Sequence, residues 1–168
     1  MTEEFRPMRR RRQELSRSEC EAILLRGTYG VLAVLGDNDY PYGVPVNYVW
    51  LDGCICFHTA LSGHKVDALR RHDKVSFTVV DKDDVVPAEY TTYFRSVIAF
   101  GRAEIIEDEE EKRKALAALG DRFYPHQDEA LEKEMARGFN RLLMVRIRIA
   151  HLSGKEAIEL VRMRPKGE

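Results

Sequence analysis

Three strand-like runs, GVLAVL from Gly30, PYGVPVNYVW from Pro41 and CICFHT from Cys54, follow one another with only short polar turns between them. A parallel crossover needs a dozen or more residues, so turns this short imply antiparallel pairing. GDND after the first run and Leu51-Asp52-Gly53 after the second supply the turn chemistry. The three runs read as a meander. Pro41 and Pro45 cannot donate to a ladder, which predicts an edge, a bulge or an irregular start for the second strand. Along CICFHT, Cys54, Cys56 and His58 share one face, while Ile55, Phe57 and Thr59 share the other.

The flanking segments add helices and further strands. Residues 13–26 read as a helix, with Ser16 and Glu19 forming a capping box, Leu15, Ile23 and Leu24 on one face, and Gly27 as the stop. HKVDALRRH makes about two helical turns with Val66 and Leu69 inward. KVSFTVVD reads as a strand ended by the charged DKDD, and VVPAEYTTYF as a loop leading into a longer strand near Thr92 to Ile106. Glu109 to Leu119 and Glu129 to Phe139 read as helices, and RLLMVRIRIAHL as a closing strand whose apolar residues alternate with Arg146 and Arg148. The order predicts a mainly β fold, one small barrel with peripheral helices spanning residues 1–168, rather than a doubly wound sheet.

Composition narrows the function classes. A net charge of −1 gives no global attraction to nucleic acid or anionic membrane, although Arg9 to Arg12 form a basic run within a helical lead at 8–27. No apolar run is long enough to span a bilayer, and no apolar stretch backs the N-terminal arginines as a secretory signal would require. Three cysteines do not suggest a disulfide framework, so a reducing cytoplasm is the expectation.

Chemistry concentrates in FHTALSGHK, residues 57–65. The cysteines on the preceding strand have no second pair to complete a zinc site, and packing explains them. Ser62 lacks the elbow that would expose a nucleophile. A phosphate cradle remains: Gly63 permits close approach, backbone amides open a helix, and Lys65 brings a full positive charge beside His64. A merely solvated helix start fits these residues equally well. Arg95 and Ser96 open a later strand and supply a second anion partner, within the chain or across a dimer, unless the arginine simply faces solvent.

The ordered set VPVNYVW, FHTALSGHKVDALR, VSFTVVD and TTYFRSVIAFGRA resembles the pyridoxamine 5'-phosphate oxidase-like flavoproteins, most closely the branch of nitroimidazole-resistance proteins. The likeness runs from about Met8 to His151. It implies a homodimeric split β-barrel of the flavin-reductase-like kind, with FMN in clefts between the subunits. By this resemblance Val44, Pro45, Val46 and Asn47 would run along the flavin ring. Phe57, His58, Thr59 and Ala60 would follow its edge and ribityl chain, with Gly63, His64 and Lys65 at the phosphate. Arg95 and Ser96 would add flavin or phosphate contacts. His58 is the candidate catalytic residue, with His64 open as the alternative facing the ring. The phosphate loop reads SGHK where oxidases proper have something closer to SRK, and the tail RMRPKGE does not match their substrate-holding arginine motif. Vitamin B6 oxidation is therefore not implied.

Since a flavin carries its own redox chemistry, no triad or carboxylate pair need appear in the protein. The expected function is an FMN-dependent oxidoreductase of small compounds, nitroaromatics among them, with Tyr42, Tyr48, Trp50 and Tyr93 available to line a substrate cleft. The alternative is a flavin- or haem-binding module without turnover. Nucleic acid as a partner is disfavoured by the net charge and by the lack of a DNA-reading motif.

Overall fold

The computed structural model describes residues 4–126 and 128–164, so the last four residues of the RMRPKGE tail lie outside it. The Ser16–Glu19 pair starts helix α1 (Arg17–Arg26): the Ser16 hydroxyl accepts from the Glu19 amide at 3.3 Å, and the Glu19 carboxylate accepts from the Ser16 amide at 2.6 Å. This cap sets the start at Arg17 rather than at residue 13. Arg11–Gln13 form a 3-10 turn instead, and the buried Gln13 amide donates to the Glu156 carbonyl at 2.8 Å.

Seven antiparallel strands follow in one curled sheet. They are β1 (Tyr29–Leu35), β2 (Pro41–Asn47), β3 (Val49–Leu51), β4 (Cys54–Ala60), β5 (Lys74–Val86), β6 (Thr91–Ile105) and β7 (Leu142–Glu156), in spatial order β2-β1-β5-β6-β7-β4-β3. Helix α2 (His64–Arg71) links β4 to β5; α3 (Glu109–Phe123) and α4 (Asp128–Gly138) link β6 to β7; α5 (Ile158–Met163) ends the described chain. The architecture is the expected mainly β split barrel with peripheral helices.

The meander is corrected to two hairpins at opposite edges of the sheet. PYGVPVNYVW is two strands, broken at Tyr48, and β2 pairs only with β1 while β3 pairs only with β4. The break has a cause. Tyr48 is fully buried, edge-on to Phe77, and its hydroxyl donates to the Leu24 carbonyl at 2.8 Å. Burying this residue turns the chain from one edge to the other. The two prolines do lie on an edge strand, where their missing donors leave no gap in the ladder. Asp52 and Gly53, with φ of 50° and 74°, make the two-residue turn between β3 and β4.

The corner leaves no room at Gly27, where an added Cβ would collide with the Tyr48 hydroxyl. Gly27→Ala is expected to cost about 1–3 kcal/mol by overpacking. Tyr48→Phe removes the obstructing oxygen and loses one hydrogen bond, about 1 kcal/mol. The double variant should therefore be more stable than the sum of the single losses requires, and urea unfolding of all four proteins measures that coupling. Simple additivity would refute the clash.

DKDD does not end β5. The strand runs on to Val86 and forms a two-stranded ribbon with the start of β6, turned by a 3-10 segment at Pro87–Glu89. Asp81, at the bulge after Val80, is largely buried and paired with Arg26 and Arg95. Asp83 and Asp84 are instead exposed where the ribbon extends past the last β7 partner, Glu156 opposite Arg95. The expected loop VVPAEYTTYF is mostly strand within the same ribbon. The closing strand likewise continues past Leu152 to Glu156.

The two faces of β4 explain the core. Ile55 and Phe57 enter the barrel interior with Leu32, Phe77 and Ile147. Cys56 enters a second cluster with Ile106, Ala115 and Met144 beneath α3, with Cys54 packed against it. Burial pushes the Cys56 thiol up to about 12, as expected of a packed rather than a reactive cysteine.

Candidate functional site

The expected site residues fall into three places. On β4, Phe57 is buried in the barrel core and Thr59 nearly so, while His58 and Ala60 are exposed on the opposite face. The loop after β4 then reaches Gly63, which caps α2 with φ of 133° and open space where a Cβ would stand. Having no side chain, Gly63 leaves the first α2 amides without a side-chain cap. Lys65, in the first turn, lies half-buried with its ammonium 5.8 Å from the centre of the Phe57 ring.

Burial lowers the Lys65 pKa. Among the described residues no carboxylate pairs with this ammonium. His58 is also lowered, first by desolvation and then by the Lys65 charge, so the imidazole is neutral near pH 7. The loss of its proton on folding has a sign. The unfolded chain holds that proton below about pH 6.5, whereas the folded protein resists it, so this contribution to stability is intact at neutral pH and is lost on acidification. Wild-type protein should lose more urea stability between about pH 7.5 and pH 5 than His58→Gln does. Equal losses would place His58 in an environment like water.

The second place is β2, where Val44 and Val46 face inward while Pro45 and Asn47 are exposed. Asn47 is oriented by a 3.0 Å bond to the Thr28 carbonyl. His64 diverges from Lys65. Its ring stacks on Tyr42 at 4.3 Å, and its Nε2 accepts from the Asp37 amide at 3.2 Å, beside the turn that joins β1 and β2.

Arg95 and Ser96 are the third place. Arg95 opposes Lys82, whereas His64 meets the turn after β1 beyond the Ala33–Ser76 pair, roughly 20 Å away along the strands. Within one chain the structure does not bring Arg95 to the SGHK loop. Its guanidinium instead grips the fully buried Glu156 at 3.0 and 3.1 Å and approaches Asp81 at 3.4 Å.

A cavity of about 560 Å³ lies over the His58 face of β4, beneath α3 and α4. Asn47 and His58 line it, which places the end of β2 and the middle of β4 around one space although they belong to opposite hairpins. The rest of its wall was not found by sequence reading: Leu116, Leu119 and Phe123 from α3 and Ala130, Met135 and Gly138 from α4. The helical periodicity predicted that these helices bury a face, but not what that face would meet. Of the expected cleft aromatics, Tyr48 is core, Tyr42 is under His64, Trp50 packs on the core, and Tyr93 bonds Glu89.

The family model for pyridoxamine 5'-phosphate oxidase matches residues 16–156. The chain belongs to the pyridoxamine 5'-phosphate oxidase family. Among solved structures it is similar to a conserved hypothetical protein from Mycobacterium tuberculosis, with TM-score 0.80, 22% identity and 96% of each chain covered. It is also similar to a structure from Bacteroides thetaiotaomicron named for 5-nitroimidazole antibiotic resistance, with TM-score 0.70, 23% identity, and 85% of this chain and 86% of that one covered. An FAD-binding protein from Mesorhizobium loti gives TM-score 0.62 at 26% identity, covering 86% of this chain and 97% of that one. No curated protein matches the chain. Family membership and fold thus agree with the resemblance that VPVNYVW and FHTALSGHK carry. Among the described residues, no helix is long and apolar enough to cross a membrane.

Proposed function

We propose that this chain is an FMN-binding oxidoreductase acting on small compounds, nitroaromatics among them. The observation that carries the reading is Lys65: a half-buried ammonium without a carboxylate partner among the described residues, beside an uncapped helix start and an open Gly63. Burying a cation unpaired is costly, so this arrangement is completed by an anion. A flavin phosphate supplies that anion, and flavin binding is also named for the Mesorhizobium loti neighbour. FMN is preferred to FAD because its terminal phosphate matches a single cation.

In this reading Gly63 and Lys65 hold the phosphate, with His64 at its margin. Phe57, Thr59 and Ala60 support the ribityl side, and Val44, Pro45, Val46 and Asn47 flank the ring. The flavin would supply electron and hydride transfer when bound. His58, neutral and at the cavity wall, is positioned to hold or pass a proton at its imidazole beside a bound compound. Leu119 and Met135 give that space a buried apolar wall.

The cofactor would lie between two copies of the chain. The outer sheet face supports this: Val31, Thr78 and Ile98 form one uncharged row, and Ala33, Ser76 and Phe100 form the next. Ile98→Glu should therefore shift the protein to monomers in sedimentation and lower its flavin occupancy. A dimer unaffected by that charge would remove this face from the interface. The activity itself is tested by anaerobic reduction of a nitroaromatic compound by the FMN-loaded protein with an added chemical reductant. Wild type should turn over and His58→Gln should be slowed about 10²-fold or more. Equal rates for both would remove His58 from the chemistry.

A further inference from the structure

The cavity over His58 carries a selectivity that the oxidoreductase reading leaves open. Its volume, about 560 Å³, suits a molecule of two or three fused or linked rings, larger than a single nitroimidazole. Its walls are aliphatic and aromatic on the helical side, with Leu119 and Met135 buried at its base. Among the described residues Glu134, exposed on α4, is the one charged side chain in the lining, and it is acidic. The imidazole across from it is held neutral by desolvation and by Lys65. An anionic group entering the chamber would therefore meet a carboxylate and, among the described lining residues, no cation.

We propose that this chamber is a substrate pocket for neutral or cationic, flat, apolar molecules of two to three rings, and that Glu134 on α4 excludes anionic ones. The proposal deepens the functional reading by naming the substrate class, and it rests on that reading only for the chemistry that follows binding. The chamber itself is tested without turnover. Gly138 provides the means: it lines the cavity with helical backbone angles, and a Cβ there would meet nothing within 4 Å. A large side chain at this position grows into open space instead of displacing the core.

The test uses two fluorescent probes that share an aromatic frame: neutral N-phenylnaphthylamine and the sulfonated anilinonaphthalene sulfonate. The full-length protein is titrated with each, with and without FMN. The neutral probe should bind about 3- to 10-fold more tightly than the sulfonate, as one exposed charge allows, and Glu134→Lys should remove or invert that preference. Gly138→Phe should weaken the neutral probe at least tenfold without weakening FMN. Ala130→Phe, at an exposed α4 position on the same wall, serves as the second filling variant should Gly138→Phe not fold. Equal affinity for the two probes, or indifference to both filling variants, overturns the proposal. Displacement of the probe by FMN overturns it as well, because the chamber would then belong to the flavin. A protein that binds the neutral probe as described but binds no flavin keeps the chamber and refutes the functional reading.

Discussion

Lys65→Ala is expected to raise the dissociation constant for FMN about 10- to 100-fold, the value of one charge-assisted contact to a phosphate. Little stability should be lost with it. The lysine makes no ion pair among the described residues, and its ammonium is desolvated in the flavin-free protein, so alanine even relieves a small cost. Lys65→Arg, which keeps the charge in a broader head group, should recover part of the affinity. Equilibrium titration followed by flavin fluorescence separates these cases. If the alanine variant binds FMN as tightly as wild type, the phosphate lies elsewhere and the assignment of the α2 start fails.

Glu156→Ala is expected to have the opposite profile, a large loss of stability with any flavin effect secondary. Glu156 is fully buried between two guanidinium groups, with Arg95 on one oxygen at 3.0 Å and Arg164 on the other at 2.7 Å. Its backbone carbonyl accepts from Gln13, and Arg164 also reaches Glu19. The carboxylate thus ties β7 to β6 and to the residue after α5, while the carbonyl holds the N-terminal turn. Among the described residues, removing the carboxylate leaves the half-buried Arg95 with Asp81 alone at 3.4 Å and the exposed Arg164 with Glu19 alone. A cost of about 3 kcal/mol follows, below the largest values for buried pairs because both arginines can still reach water. For a chain of this size that lowers the Tm by roughly 6–12 °C. A thermal melt of Glu156→Ala within a degree or two of wild type, on the scale of a surface change, would show that the arginines find other partners. Arg95→Ala should follow the same pattern to a lesser degree. Loss of flavin beyond that expected from its stability would restore the contact across a dimer.

Much of this was legible in the sequence, and the exceptions share a physical origin. Local signals behaved locally: the Ser16–Glu19 box, the Asp52-Gly53 turn and the inward Val66 and Leu69 of α2 depend on neighbours a few positions away. The alternation along CICFHT was also readable, since β4 does separate two cores. What failed was long-range. Tyr48 looked like one more aromatic in a strand, yet its burial sends the chain across the barrel and splits the meander. DKDD looked like an end because charges usually leave a sheet, but two distant arginines pair with Asp81 and the two-stranded ribbon leaves Asp83 and Asp84 in water. Arg95 resembled an anion ligand, and only the register of β6 with β7 reveals Glu156 opposite it. The cavity depended on packing two helices onto the His58 face, which no periodicity specifies.

The measurement that bears most directly on the central claim is the visible absorption spectrum of the purified protein, repeated after loading with FMN and washing away the excess, with the released cofactor identified by mass spectrometry. An FMN-binding protein should give a flavin-shaped spectrum, stoichiometric after reconstitution, with FMN recovered and the signal lost in Lys65→Ala. A protein that retains no flavin after reconstitution, or that shows a Soret-type haem band instead, would contradict that claim.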